Sequence, residues 1–177
     1  MEDRFRRLAQ KIEALRRKDD SAAARRGEVD RQRDLAARQL HQICRRLVER
    51  LNSLIEQDRL ELVPAELPEV LNMEGQLQIM VNVRGRVLLM ALESPDALVS
   101  TENFRKPYIF QGEVRFFNQE LLDESRVEEH GLFFCPGEGA RDGGGGRQGA
   151  WLFWNGRNYK SGRVDEEYLA SLLEQLM

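Results

Sequence analysis

Large apolar residues between positions 2 and about 60 recur at the spacing of a helix. Phe5, Leu8, Ile12 and Leu15 step by three and four, which places them on one helical face. Ala22, Val29, Ala36 and Ile43 continue the Leu8 and Leu15 series at intervals of seven, the period of a heptad seam. The companion series from Phe5 and Ile12 runs into Asp19, Arg26 and Arg33 before Leu40, Leu47 and Leu54 restore it, and beyond Ile43 the stripe shifts to Leu51, Leu54 and Ile55. The whole stretch contains no proline and a single glycine, Gly27.

The weakest part of this pattern is residues 18 to 30. Asp20 or Ser21 can cap a new helix there, and Gly27 costs about 1 kcal/mol relative to alanine in a helix interior. Two geometries are therefore open. A continuous helix of about 55 residues would reach about 80 Å at 1.5 Å per residue. A break near residues 18 to 21 would instead fold the first segment back as a helical hairpin. The continuous, coiled-coil-like helix is the favoured expectation. Its stripe then calls for a second chain, because a following domain of about 100 residues is too small to cover Leu8, Leu15, Val29, Leu40, Leu47 and Leu51 on a straight helix. These six residues are the expected dimerisation seam of a homodimer.

Pro64 and Pro68 end the helical pattern and mark residues 62–74 as a proline-containing linker. After it the period changes to two. Leu77, Ile79, Val81 and Val83 alternate, and Arg84-Gly85 can turn the chain so that Val83 opposes Arg86, Val81 opposes Leu88, Ile79 opposes Met90 and Leu77 opposes Leu92. A third strand places Tyr108, Phe110, Val114 and Phe116 on one face, with Glu113 and Arg115 on the other. GLFFC and AWLFWN give a fourth and fifth strand, and Asn155-Gly156 suggests a two-residue turn pairing Leu152 with Tyr159 in a short sixth. The final segment reads as a helix capped by Asp165. A Val164–Leu169 staple and a stripe of Leu169, Leu172, Leu173 and Leu176 equip it to cover a sheet. The expected fold is α+β: a helical segment over 1–61, the linker over 62–74, and a domain over 75–177. That domain is an antiparallel sheet of five or six strands with the C-terminal helix on one face.

Composition narrows the class. The 177 residues carry a net charge of -3, which hides an asymmetry: residues 1 to 50 hold 15 Lys and Arg against 9 Asp and Glu, and the remainder holds 12 against 21. A basic half beside an acidic half suits either a nucleic-acid-binding arm or surfaces that attract one another. No run of eighteen apolar residues is present, and the charged opening MEDRFRRLAQ has no apolar stretch behind it. No membrane span or secretory signal is expected, and the cytoplasm is the expected compartment. Cys44 and Cys135 lack partners at metal-binding spacing and read as free thiols.

Candidate chemistry is thin. The glycine-rich stretch 137–149, with Arg141 and Arg147, has a strand pattern on both sides and opens no helix, so it reads as a hairpin tip rather than a phosphate cradle. His130 and Cys135, five apart, fall on opposite faces of a strand, which argues against a thiol nucleophile and its base. His41 and Cys44 share a helix face without an acidic orienter. The carboxylates of residues 118–130 fit no calcium loop. The aromatics of the sheet sit in an acidic domain and read as core rather than as a base-stacking surface. Arg16, Arg17, Arg25 and Arg26 could follow a phosphate backbone, but the Asp and Glu interleaved with them point to a solvated coiled-coil surface. The resulting expectation is a non-enzymatic protein-interaction or assembly module, oligomerised through its N-terminal helix, with no cofactor or metal. A nucleic-acid-associated regulator and an enzyme with an unrecognised site are the alternatives.

Overall fold

The computed structural model describes residues 2–71, 76–95, 99–101, 104–118, 129–138 and 148–177. The chain divides into two compact units, Met1–Gln32 and Arg33–Met177. Helix α1 (Glu2–Asn52) is unbroken through the weak stretch of residues 18 to 30, so the hairpin geometry is not adopted. Asp20 and Ser21, the candidate caps for a new helix, are both helical.

Among the described residues, the second unit contains a seven-stranded antiparallel sheet with strands in sequential order. Its strands are β1 (Glu61–Val63), β2 (Leu77–Val83), β3 (Arg86–Glu93), β4 (Phe110–Asn118), β5 (Glu129–Cys135), β6 (Ala150–Asn155) and β7 (Lys160–Arg163), followed by α2 (Glu166–Leu176). The strand count exceeds the expected five or six because the linker supplies one. Before Pro64, Leu62 pairs with Val81, since a proline after a strand removes no ladder donor from within it. Both edge strands are short, and β7 carries Lys160 and Arg163, devices that discourage edge-to-edge pairing.

The β2–β3 register is the one the alternation dictates: Leu77 pairs with Leu92, Ile79 with Met90, Val81 with Leu88 and Val83 with Arg86. Gly85 takes a positive φ of 82° and Arg84 one of 51°, as a tight hairpin turn requires. One sheet face then collects Ile79, Val81, Leu88, Met90, Leu92, Phe110, Val114, Leu132, Phe134 and Trp151, all buried. Helix α2 covers part of that face through Leu169, Leu172 and Leu173. Asp165 caps the helix by accepting from the Tyr168 amide at 2.8 Å.

Another part of the same face is covered by α1 from Arg33 onward. Ala36, Ala37, Leu40, Ile43, Cys44, Leu47 and Val48 are buried. The indole N–H of Trp151 donates to the Ala36 carbonyl at 2.7 Å, and Cys44 Sγ lies 3.6 Å from Met90 Sδ. Arg33, which interrupts the apolar seam in the sequence, is itself buried. Its Nε donates to the Ile109 carbonyl at 2.8 Å, and Nη2 donates to the Pro95 carbonyl. A buried guanidinium held in this way satisfies backbone acceptors that would otherwise be orphaned.

Three local expectations are corrected. Helix α1 ends at Asn52, short of residue 60, because the Asn52 side chain closes a loop onto Leu60. It accepts from the Leu60 amide at 2.8 Å and donates to the Leu60 carbonyl at 2.9 Å. Leu54 is consequently outside the helix and exposed. Tyr108 does not share a face with Phe110. A bend at Ile109 breaks the alternation, and Tyr108 packs with Phe104 and Phe133 on the opposite side of the sheet. Leu152 pairs with Arg163, not Tyr159. The cause lies in Asn155, which stays in the strand with its side chain buried, so the turn widens to residues 156–159 and the positive φ falls on Tyr159.

Candidate interaction surface on the N-terminal helix

Within the first unit, every side chain described from Arg4 to Glu28 is exposed. For arginine, lysine and glutamate that is ordinary. For the stripe it is not: Phe5 is 64% exposed, Leu8 53%, Ile12 58% and Leu15 59%. Four large apolar side chains at heptad spacing form a contiguous face of the kind that marks an interaction site. The segment is helical by propensity, being rich in Ala, Arg, Lys and Glu. Local pairs assist it, Arg31–Glu28 at 2.6 Å and Arg16–Asp20 at 3.9 Å, although such exposed pairs contribute only a few tenths of a kcal/mol. Gly27 lies in this helix with open space where a Cβ would stand. Gly27→Ala is therefore expected to stabilise the segment by about 1 kcal/mol, read as increased helical ellipticity at 222 nm and a later loss of that signal on heating.

The six residues of the expected dimer seam are not equivalent. Leu8 and Leu15 are exposed, and Val29 and Leu51 are half-buried. Leu40 and Leu47 are buried inside the Arg33–Met177 unit of a single chain, which corrects their assignment to an intermolecular seam. The premise that a compact domain cannot cover them fails because α1 itself forms part of the sheet's core. The four arginines are exposed as well, yet at about 100° per residue Arg16, Arg17, Arg25 and Arg26 spread around the helix circumference and form no single phosphate-facing row.

The other candidates resolve into packing. His130 lies on the buried sheet face and Cys135 on the other, in a cluster with Phe104, Tyr108 and Leu152. Asn155 Oδ1 accepts from the Arg157 amide at 2.9 Å, which turns Asn155 Nδ2 toward His130 Nε2 at 2.8 Å. The ring's Nε2 is then an acceptor, and Nδ1–H donates to the Tyr168 hydroxyl, also at 2.8 Å. This buried chain fastens α2 to the sheet, and burial pushes the Tyr168 hydroxyl pKa upward. His41 Nε2 bonds the Pro64 carbonyl at 2.8 Å and makes no pair with Cys44. Burial raises the Cys44 thiol to about 12. Cys135 is raised to about 11, chiefly by burial and further by Glu138. Both thiols are free and buried.

Since the thiolate is the reactive form, neither cysteine is expected to be alkylated by iodoacetamide in the folded protein at pH 8, while both react in denaturant. The sign for stability follows. A folded-state pKa above the unfolded value of about 8.5 means that the folded chain holds protons the unfolded chain releases. The thiol contribution is fully present below about pH 8.5 and is lost as pH rises through 11 and 12.

A cleft of about 500 Å³ in the second unit is lined by Arg38, His41, Arg45, Arg46, Glu49 and Glu66, among others. Its arginines are already engaged: Arg38 with Asp34, Arg45 with Glu49 and Arg46 with Glu166. Among the described residues no group of three or more His, Cys, Asp or Glu could hold a metal ion, and no helix is long and apolar enough to cross a membrane. The acidic residues 119–128 and the glycine-rich residues 139–147 lie outside the described residues, although Cys135 pairs with Ala150 across the hairpin that the glycines connect. The signal that separates the buried part of α1 from the exposed part was present in the sequence, in the pair Ala36-Ala37 whose small side chains suit a helix packed on a sheet, but it carries little weight without the sheet beside it. Compared with known proteins, the chain matches no family model, no curated protein and no solved structure.

Proposed function

We propose that this chain is a non-enzymatic protein-interaction module, working in the cytoplasm, that docks an assembly partner through the exposed face of its N-terminal helix. The observation that carries the reading is the exposure of Phe5, Leu8, Ile12 and Leu15 at heptad spacing. Desolvating such a face on a partner recovers about 25 cal/mol for each Å² of apolar surface removed from water. Among the described residues, the histidine and thiols of the sheet and helix core are otherwise occupied. His130 is held between Asn155 and Tyr168, and both thiols are held protonated by burial. Free thiols also suit a reducing compartment. A homodimer, the partner expected from the seam, keeps only the portion from Phe5 to Val29, because Leu40 and Leu47 are used within one chain. A nucleic-acid role for Arg16, Arg17, Arg25 and Arg26 is not favoured, given their spread around the helix.

A photo-reactive side chain placed at position 8 or 15 of the full-length chain tests the reading. In native lysate it is expected to give a discrete adduct that is absent when the probe replaces Gln10, on the far side of the helix, and lost when Ile12→Asp is added. Equal adducts from position 10, or none from 8 and 15, would overturn it.

A further inference from the structure

We infer that the partner of the N-terminal helix is an acidic amphipathic helix, seated along Phe5, Leu8, Ile12 and Leu15 as one strand of a heterotypic two-stranded coiled coil. This rests on the reading of that face as a docking surface and adds the chemistry of what docks there.

The apolar stripe is narrow. Its four large side chains lie within about 80° of helix circumference at 3.6 residues per turn, the strict two-per-heptad seam of a coiled coil. One flank of the seam carries Arg4, Lys11, Lys18 and Arg25, each seven residues from the next and all exposed. The other flank carries Ala9, Arg16, Ala23 and Asp30. Between Arg4 and Lys18 the sole acidic side chain in the sequence is Glu13. Flanking charges of this kind choose the partner and its orientation.

A second copy is a poor match for these charges. In a parallel, in-register pair, Lys11 meets Arg16 of the second copy, while Asp19 faces Asp19 and Arg26 faces Arg26 within the seam; the one matched flank pair, Arg25 with Asp30, lies beyond the Phe5–Leu15 stripe. Antiparallel pairing sets the two basic flanks against each other. Like charges at such positions act against association. A helix with Glu or Asp along its own flanks converts each repulsion on the Arg4, Lys11, Lys18 and Arg25 side into attraction.

An anionic lipid surface shares the charge complementarity but not the geometry. A helix lying in a membrane interface uses a broad apolar face, whereas this stripe is narrow and its next seam position is Asp19, followed by Asp20. Both carboxylates would be held against like-charged headgroups.

The test uses the full-length chain and three probes. Two are synthetic helical peptides with the same leucine seam, one with glutamate and one with lysine at every flanking position. The third is a vesicle containing phosphatidylserine. The glutamate peptide is expected to bind about tenfold or more tightly than the lysine peptide near 0.1 M salt, with the gap narrowing at 1 M. Leu8→Asp with Leu15→Asp should abolish binding while the near-ultraviolet circular dichroism of the sheet unit is unchanged. Lys11→Glu with Lys18→Glu should move the preference toward the lysine peptide. Equal affinity for the two peptides would overturn the acidic partner while leaving the docking face in place. Vesicle binding without peptide binding would overturn it in favour of a membrane surface. A self-dimer at micromolar concentration, lost in the Leu8→Asp, Leu15→Asp chain, would overturn it in favour of a second copy. Binding of none of the three would overturn it too, and the crosslinking result at positions 8 and 15 then decides separately whether the face docks anything.

Discussion

Leu40→Asp combined with Leu47→Asp is expected to unfold the Arg33–Met177 unit, leaving no folded sheet behind. Leu40 is fully buried and Leu47 nearly so, on the helix face that covers the sheet beside Trp151. Truncating one such leucine costs about 2–5 kcal/mol. Leaving a carboxylate uncompensated in its place costs several more, against a total stability of about 5–15 kcal/mol for a domain. Near-ultraviolet circular dichroism and a guanidinium titration check this: the native signal should be absent in water. A variant that keeps its native sheet signal while its mass falls from dimer to monomer would put Leu40 and Leu47 back in an intermolecular seam. By the same argument, a fragment that begins at residue 62 lacks the part of α1 that covers the sheet and should fail to fold.

Trp151→Ala carries the second large effect, an expected loss of about 3–5 kcal/mol. Trp151 is 1% exposed. Its ring lies 5.6 Å from Phe110 and 5.6 Å from Phe134, and its N–H bonds the Ala36 carbonyl. One side chain therefore joins strand, core and helix. Trp151→Phe keeps much of the volume and an aromatic ring beside Phe110 and Phe134, so the lost hydrogen bond should account for about 1 kcal/mol of its smaller penalty. Urea titrations of both variants against the parent measure the two costs. A Trp151→Ala midpoint within error of the parent would show that α1 is not held to the sheet through this residue.

Periodicity made much of the sheet readable in advance. The pairing of Ile79 with Met90 followed from alternation alone, because a slip of one residue would have turned every aliphatic of both strands toward water. The Asp165 cap was equally legible, since capping chemistry is local. What failed was governed by distant partners. The turn at Asn155 was misplaced because His130, far away in sequence, holds the asparagine in the strand. Tyr108 changed faces because the backbone bends at Ile109, whose carbonyl accepts from Arg33. Arg33 looked like a flaw in a seam until the carbonyls of Ile109 and Pro95 stood beside it. The exposed half of the candidate surface, Phe5 to Leu15, was visible from spacing. Its separation from the buried half was not, because Ile12 and Leu40 occupy equivalent seam positions four heptads apart, and only the sheet decides which is covered.

The exposed and buried parts of α1 meet at Arg33, and amide hydrogen exchange on the full-length chain tests that division most directly. Packing, more than propensity, sets how long a helix resists opening. Amides from Ala36 to Val48 are expected to exchange only through unfolding of the whole second unit, with protection equal to that of β3 and β6. Amides from Arg4 to Glu28 should exchange orders of magnitude faster in the isolated chain and gain protection when the acidic peptide is added. Uniform slow exchange along all of α1 in the isolated chain, or fast exchange between Ala36 and Val48, would contradict a helix that is core from Arg33 onward and a docking face before it.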